Sequence, residues 1–235
     1  MNGGVAVVLG VGPGIGGAVA RKWASQGFKV ACVARTPGKG AALASEIGPT
    51  ARGFDCDVTD PAALGAVFSS VEADMGAIDM LCYNAGSGVW KTYEDVTHDE
   101  FEMSWRINTF GLLSAAKLVG PKMAARGSGV IAITGATASL RGKPFTSAFA
   151  SAKAAQRSLA QSLAKDLGPK GVHVFYAIID GQVDLPRTRA NAAATKTDDD
   201  FLSPAAVAQT YWDMAQQPKS CFGFEVDVRP HSEPF

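Results

Sequence analysis

The sequence predicts a single α/β domain, a doubly wound parallel sheet of about seven strands with helices on both faces. Short, almost continuously apolar runs alternate with segments of helical spacing along all 235 residues. That alternation is typical of a parallel sheet that is covered on both faces. A chain of this length fits one such domain, so we expect a single domain over residues 1–235.

Each element carries its own signal. Apolar runs predict strands at 5–9, 28–34, 51–58, 78–83, 130–134, 172–179 and 224–228. Helical spacing predicts helices at 14–26, 36–47, from 61 onward, 98–126, 147–167 and 204–217. Ser203 and Pro204 fit the N-cap and first residue of the last helix. The segment 180–203 has no clear period, and loops of that length are often lids, so we expect a substrate loop there.

Composition argues against several classes of protein. Lys plus Arg and Asp plus Glu both number 22, so the net charge is zero and offers no field for nucleic acid or an anionic membrane. No apolar run approaches the length of a membrane span, about 18 residues. Four cysteines without a C-x-x-C pair and three histidines argue against a metal site. The first residues carry no leader pattern, so we expect a cytoplasmic location.

A glycine-rich turn joins the first predicted strand to the first predicted helix. It runs from Gly10 to Gly17 as GVGPGIGG. Glycines let the backbone approach a pyrophosphate, and the N-terminus of the helix offers free N–H groups to the anion. The alternative is a plain tight turn. The strand–turn–helix context favours a Rossmann-type dinucleotide site.

The chain resembles the short-chain dehydrogenase/reductase family along essentially its whole length. The spacing of Gly10, Gly14 and Gly16 is similar to that family's T-G-x-x-x-G-x-G turn, and five further motifs recur: Asp57-Val58, Asn84-Ala85-Gly86, Asn108, Lys153 and Gly181-Gln182-Val183. The resemblance implies a nicotinamide cofactor that is held by Gly10, Gly14, Ile15, Gly16, Asp57, Val58, Asn84, Ala85, Gly86, Lys153 and Val183. It also implies a homodimer or homotetramer, with contacts near Tyr211 and Trp212 on the last helix.

Arg35 bears on which nicotinamide cofactor is bound. NAD-dependent Rossmann proteins usually have an acidic residue after the second strand, to hold the ribose 2′-hydroxyl. Here Ala34-Arg35-Thr36 has no acid. An arginine can hold a 2′-phosphate instead, so we favour NADP(H) over NAD(H). The alternative is a solvated surface arginine.

The catalytic motif departs from the family at three positions. Phe149 stands where the family has its catalytic tyrosine, Ala136 where it has a serine, and Asp180 where it has a proline. The resemblance implies that Asn108 and Lys153, which are kept, hold a relay water and the nicotinamide ribose.

Other groups must then move the proton. Candidate hydroxyls are those of Thr137, Ser139, Thr146 and Ser147, with Thr137 next to the vacated serine position; for each the alternative is a local turn hydrogen bond. Asp180 and Asp184 follow the sixth strand, where a carboxylate would suit a cationic or imine-like substrate; a loop role for Asp180 is the alternative. Trp90 and Tyr93 could line the substrate side or simply pack.

Two functions fit these residues. The first is an NADP(H)-dependent oxidoreductase with an altered proton donor, moving hydride to or from a small carbonyl, imine or alcohol substrate. The second is a catalytically weak or inactive dinucleotide-binding protein that acts as a sensor or partner subunit. The loss of Tyr and Ser supports the second, and the intact cofactor motifs support the first.

Overall fold

The predicted strands form one parallel sheet. In the computed structural model, which describes residues 3–233, the strands are β1 (Val5–Leu9), β2 (Lys29–Ala34), β3 (Ala51–Asp55), β4 (Ile78–Tyr83), β5 (Gly129–Thr134), β6 (Val172–Ile179) and β7 (Glu225–Val228). Their order is β3-β2-β1-β4-β5-β6-β7. Residues 1–2 and 234–235, at the ends of the predicted domain, lie outside the described part.

Helices follow the strands and cover both faces. They are α1 (Ile15–Ser25), α2 (Lys39–Ile47), α3 (Pro61–Met75), α4 (His98–Trp105), α5 (Gly111–Arg126), α6 (Ser147–Leu167), α7 (Pro186–Ala190) and α8 (Pro204–Ala215). The predicted doubly wound single-domain fold is confirmed. Within residues 3–233, no helix combines the length and the apolar character that a membrane crossing requires.

Two buried clusters, one on each face, hold the layers together. Apolar residues of α1, α2 and α8, such as Trp23 and Val207, pack on one face of the sheet. Those of α3, α5 and α6, such as Phe68 and Leu112, pack on the other. Side chains alternate between the two faces along a strand, so continuous apolar runs such as β1 and β6 serve both clusters.

The order of the strands reverses between β1 and β4, which are neighbours in the sheet. The chain leaves β1 to one side and, after β3, returns to pair β4 on the other. Ligands of open α/β sheets bind at such a switch point, outside the carboxyl ends of the strands. The fold therefore brings the segments after β1, β4, β5 and β6 to one edge.

Most predicted boundaries agree with the structure to within two residues, but the strand predicted over 51–58 ends at Asp55 and the helix predicted from 36 begins at Lys39. Two other segments differ in kind. The helix predicted over 98–126 is divided by a π-helical turn at Arg106–Phe110. The segment 180–203 contains α7 and is tied at its base, where Val183 and Leu202 form a parallel bridge. Neither feature has a periodicity that the sequence could reveal, because one is a single-turn insertion and the other a five-residue helix.

Candidate functional site

The glycine-rich turn is fitted closely against the end of β4. Gly10 has a φ of 92°, and a Cβ there would lie 2.6 Å from the backbone nitrogen of Ala85. The N–H groups of Gly10 and Val11 donate to the carbonyl oxygen of Val33, at 2.8 and 3.0 Å. The turn thus joins the carboxyl ends of β1, β2 and β4.

Gly16 and Gly14 differ in how much space surrounds the position that a Cβ would occupy. A Cβ on Gly16 would lie 2.4 Å from the carbonyl oxygen of Gly10, so Gly16 is required by the turn's own packing. A Cβ on Gly14 would meet only Leu185, with its nearest atom at 3.5 Å. Gly14 is also the N-cap of α1, and no side chain of the described residues caps that helix. The first N–H groups of α1 are therefore available to an anion.

A chain of hydrogen bonds fixes the turn from beneath. Tyr211 donates to Thr134 Oγ1 at 2.8 Å, and Thr134 donates to Asn84 Oδ1 at 2.9 Å. Asn84 Nδ2 then donates to the carbonyl oxygen of Gly10 at 2.8 Å. Tyr211 is fully buried, so its side chain is not available to a subunit contact, and Trp212 packs edge-on against Phe28. The subunit contact expected near this helix stays a prediction.

The predicted adenine end of the site lies beside β2 and β3. Arg35 is exposed directly after β2. It lies two residues after Val33, whose carbonyl oxygen accepts from the glycine-rich turn. Asp57 is half-buried, and its Oδ1 accepts from the N–H and hydroxyl of Thr59 at 2.9 and 2.8 Å. The side chain of Val58 belongs to the core, so it is not available to a ligand.

The π-helical turn positions Asn108. The N–H of Gly111 bonds to the carbonyl of Arg106, five residues back, which widens the helix at Asn108. Asn108 is fully buried, and its Nδ2 donates to the carbonyl oxygens of Ser104 and Ser87 at 2.9 and 3.2 Å. Its Oδ1 has no hydrogen-bond partner among the described residues. Such insertions are frequent at functional sites.

Lys153 lies beside Asn108, with its ammonium group buried. Its Nζ donates to the carbonyl oxygen of Thr134 at 2.8 Å and to Gln156 Oε1 at 3.0 Å. Gln156 Nε2 in turn donates to the backbone oxygen of Asn108 at 2.7 Å. Burial lowers the pKa of Lys153 to about 7. A Cβ on Gly86 would lie 3.7 Å from Nζ, so Gly86 leaves room in front of the lysine.

Lys153 and Gly86 line a cavity of about 660 Å³ at the carboxyl edge of the sheet, whereas Asn108 lies outside its lining. The predicted residues that line it are Ile15, Asn84, Gly86, Thr137, Phe149, Lys153, Asp180 and Val183. Gly10 and Ala85 lie just behind that lining, since Gly10 would touch Ala85 if it carried a Cβ. The structure thus collects residues from five separate segments of the chain.

Thr137 and Asp180 form a direct pair inside the cavity. Thr137 Oγ1 donates to Asp180 Oδ1 at 2.9 Å, and Asp180 is buried. Arg229, after β7, lies 3.1 Å from Asp180 Oδ2 and balances its charge. Asp184 instead pairs with Arg189, at 2.5 Å on the surface. With both carboxylates paired, the sequence-based interpretation of Asp180 or Asp184 as partner of a cationic substrate loses its basis.

The other candidate hydroxyls bond to the backbone. Ser139 donates to the carbonyl of Ala136 at 2.7 Å and Ser147 to that of Lys91 at 3.2 Å. Thr146 accepts from the N–H of Lys143 and donates back to its carbonyl, at 2.7 and 3.0 Å. The contacts of Ser139 and Thr146 match the alternative of a local turn hydrogen bond, whereas Ser147 bonds to a distant segment. Thr137 alone of the four bonds to a carboxylate.

Aromatic side chains form the outer wall of the cavity. The ring of Phe149 lies 5.4 Å from that of Trp90, which also packs against Phe145 at 5.9 Å. Trp90 lines the cavity, whereas Tyr93 is 76% exposed and does not. Of these two residues, only Trp90 lies where it could contact a substrate in the cavity.

A nicotinamide dinucleotide fits the chemistry of these residues. Free N–H groups at α1 suit its pyrophosphate. Lys153 lines the cavity and offers a donor. Asn108 Oδ1, which has no partner among the described residues, lies next to the lining residue Gly86 and offers an acceptor. The fold and the site together define a Rossmann-type, dinucleotide-binding class of protein.

The comparisons with known proteins identify the family. Residues 4–196 match the family model of short chain dehydrogenase. The chain is 34% identical over 185 residues to galactitol 2-dehydrogenase of Agrobacterium fabrum, covering 78% of this chain and 72% of that relative. The chain therefore belongs to the short-chain dehydrogenase family, a family of oxidoreductases.

Solved structures agree over nearly the full length. A short-chain dehydrogenase from Rhodopseudomonas palustris superposes with a TM-score of 0.83 at 34% identity, covering 98% of this chain and 100% of that chain. A gluconate 5-dehydrogenase from Burkholderia cenocepacia, in complex with NADP and tartrate, gives a TM-score of 0.87 at 25% identity, covering 98% and 95%. The similarity includes the edge of the sheet that carries the cavity.

Several residues of the site were missed by sequence reasoning. Thr134 and Tyr211 hold the turn through Asn84, Gln156 holds Lys153, and Arg229 pairs with Asp180. Gln156 lies three residues after Lys153 on one helix, a spacing that places both on one face and could have indicated it. The other three come together only through the tertiary fold.

Proposed function

We propose that this chain is an NADP(H)-dependent oxidoreductase that moves hydride to or from a small carbonyl, imine or alcohol substrate, with Thr137 and Asp180 in place of the family's proton donor. The observation that carries the proposal is the 2.9 Å hydrogen bond between these two side chains, inside the cavity that Lys153 also lines. Bound NADP(H) supplies or accepts the hydride.

The preference for the phosphorylated cofactor rests on Arg35. It follows β2 on the exposed edge beside the glycine-rich turn, where the 2′-position of the adenosine ribose is held in Rossmann proteins. Its guanidinium can form two charge-assisted hydrogen bonds to a phosphate. The solved relative with bound NADP is consistent with this assignment.

The proton step follows from the direction of the Thr137 hydrogen bond. Its single proton faces Asp180 Oδ1 at 2.9 Å and, more distantly, the backbone oxygen of Ile179 at 3.3 Å, so the hydroxyl oxygen is left as an acceptor. A substrate alcohol can donate to that oxygen while the proton of Thr137 passes to the carboxylate. Reduction runs the same path in reverse. Arg229, 3.1 Å from Asp180 Oδ2, holds the carboxylate in place beside Thr137.

Lys153 and Asn108 have positioning roles in this scheme. The lysine is fixed by two hydrogen bonds and can donate a third to a ribose hydroxyl. Asn108 Oδ1 can hold a water beside it. Val183, at the base of segment 180–203, packs against the buried cluster of α1, α2 and α8 and lines the cavity. We propose that this segment closes over the substrate.

The test is an absorbance screen for NADPH oxidation against ketones, imines and enones, with NADP⁺ reduction by alcohols in parallel. Thr137→Val removes the hydroxyl at nearly constant volume and should lower turnover by about 10²-fold or more. Thr210→Val, whose hydroxyl bonds only within α8 at 3.3 Å, is the matched control. Unchanged turnover in Thr137→Val would refute the dyad.

The alternative is a dinucleotide-binding protein with little or no catalysis. It is favoured by the absence of a hydroxyl at both Ala136 and Phe149, which line the cavity. Binding of NADPH without turnover of any substrate class would establish it. A homodimer or homotetramer and a cytoplasmic location remain predictions, of which sedimentation tests the first.

A further inference from the structure

The outer part of the cavity has an aromatic wall that is exposed to solvent. Trp90 is 60% exposed and Phe145 46%, and their rings pack at 5.9 Å with an interplanar angle of 35°. Phe149 extends this wall inward at 5.4 Å from Trp90. Of these three rings, Trp90 and Phe149 line the cavity and Phe145 packs against Trp90, so the entrance offers an apolar aromatic surface.

Two cations lie on the loop that borders this wall. Arg141 and Lys143 both line the cavity and are exposed. Among residues 3–233, neither has an acidic partner within ion-pair distance. Their loop is fixed by the buried hydroxyl of Thr146, which bonds both the N–H and the carbonyl of Lys143.

The other charged side chains of the lining are Lys153, Asp180, Arg187, Lys196 and Glu233. Asp180 is balanced by Arg229 at 3.1 Å. Arg187 and Lys196 belong to segment 180–203, whose Leu185 lies over Gly14 at the phosphate-binding turn. Leu185 thus places this segment next to the predicted phosphate site, and Lys196 lies 5.6 Å from the centre of the Phe201 ring. With Asp180 balanced by Arg229, Glu233 is the one remaining acidic side chain among the described lining residues, against Arg141 and Lys143, so cations outnumber it beside the aromatic surface.

We propose that the substrate carries an anionic group, such as a carboxylate, on an aromatic or otherwise planar apolar body. This inference deepens the proposed function, because it assigns the substrate class of the same site. The planar body packs on Trp90 and Phe149, and the anion pairs with Arg141 and Lys143. Charge-assisted hydrogen bonds to an arginine fork are favourable for a carboxylate.

The experiment is calorimetric binding of 2-naphthoate and its neutral analogue 2-naphthamide, with and without saturating NADP⁺. The carboxylate should bind at least about tenfold more tightly than the amide, which corresponds to about 1.4 kcal/mol. The double variant Arg141→Ala/Lys143→Ala should remove this difference. Trp90→Ala should weaken both ligands alike, and Lys117→Ala, an exposed lysine on α5, should change neither.

Three results would overturn the inference. They are equal binding of acid and amide, a preference for the acid that survives in the double variant, and no binding of 2-naphthoate at millimolar concentration. Displacement of 2-naphthoate by NADP⁺ would also overturn it, because the anion would then lie at the phosphate-binding turn. NADP⁺ titration without the aromatic ligand tests the proposed function separately, so either can fail alone.

Discussion

The side-chain oxygen of Gln156 accepts a 3.0 Å hydrogen bond from Nζ of Lys153, one helical turn earlier. The nitrogen of the same amide donates to the backbone oxygen of Asn108 at 2.7 Å. Gln156 is fully buried, so this bridge excludes solvent from the inner side of the lysine. Lys153 can therefore exchange its proton and meet a ligand only through the cavity.

The first prediction is a stability that rises with pH. Burial lowers the pKa of Lys153 from an ordinary 10.5 to about 7, so between these values the unfolded chain binds more protons than the folded one. The unfolding free energy of the ligand-free protein should then increase as the pH is raised from about 7 towards 10.5. Urea denaturation over that range measures it.

Matched variants isolate the lysine. Lys153→Met should flatten the rise, whereas Lys117→Met, on the exposed face of α5, should leave it in place. Gln156→Leu removes an acceptor that favours the charged ammonium, so the rise should begin at lower pH. If the unfolding free energy rises equally with pH in the native protein and in Lys153→Met, the lysine is not the group responsible.

The second prediction separates two glycines of the phosphate-binding turn. Gly16→Val places side-chain atoms against the carbonyl of Gly10, where a Cβ alone would lie at 2.4 Å. It should therefore destabilise the fold by about 1–3 kcal/mol as well as abolish dinucleotide binding. Gly14→Ala meets only Leu185, at 3.5 Å, and should weaken NADPH binding in a protein of near-native stability.

Thermal unfolding and NADPH titration of both variants make the comparison. Gly65→Ala, where a Cβ would meet nothing within 4 Å, is the control for a glycine substitution in a helix. Micromolar NADPH affinity in Gly16→Val would contradict the assignment of this turn to the pyrophosphate. Native affinity in Gly14→Ala would show that the anion does not approach the N-terminus of α1.

The sequence predicted the fold well because its signals are local. Strand β4 and helix α6 have the bounds that their apolar periodicity indicated, since each depends on residues within one segment. The site was predicted only where a motif carried it. Arg229 pairs with Asp180 through the alignment of β6 with β7, and no spacing along the chain connects the two residues.

The third prediction concerns cofactor preference. If Arg35 pairs with the 2′-phosphate, Arg35→Asp removes a cation and adds a repulsive charge. NADPH should bind about 10- to 100-fold more weakly, the lower figure allowing for solvent screening at this exposed position. NADH affinity should hold or improve. Arg52→Asp, near the amino end of β3, should affect neither, and equal loss of both cofactors in Arg35→Asp would refute the role of Arg35.

The last prediction concerns the two missing hydroxyls of the family's catalytic set. The ring of Phe149 lies 6.0 Å from Nζ of Lys153, and Ala136 lines the same cavity. Phe149→Tyr alone adds a proton donor but leaves the substrate oxygen without its second partner. We expect it to raise carbonyl reduction by less than about tenfold, well below the 10²- to 10⁴-fold that a fully placed general acid gives.

Adding Ala136→Ser should produce a larger gain than the product of the two single effects, because both hydroxyls act on one oxygen. The gain should decline above about pH 7, where Lys153 loses the charge that would stabilise a phenolate. Phe145→Tyr, on the same aromatic wall at 5.9 Å from Trp90, is the matched control and should give no gain in carbonyl reduction. Initial rates of NADPH oxidation in the single, double and control variants provide the comparison. Strictly multiplicative effects would mean that positions 136 and 149 do not act on one substrate atom, and the cavity would then bind its substrate differently from the family's usual arrangement.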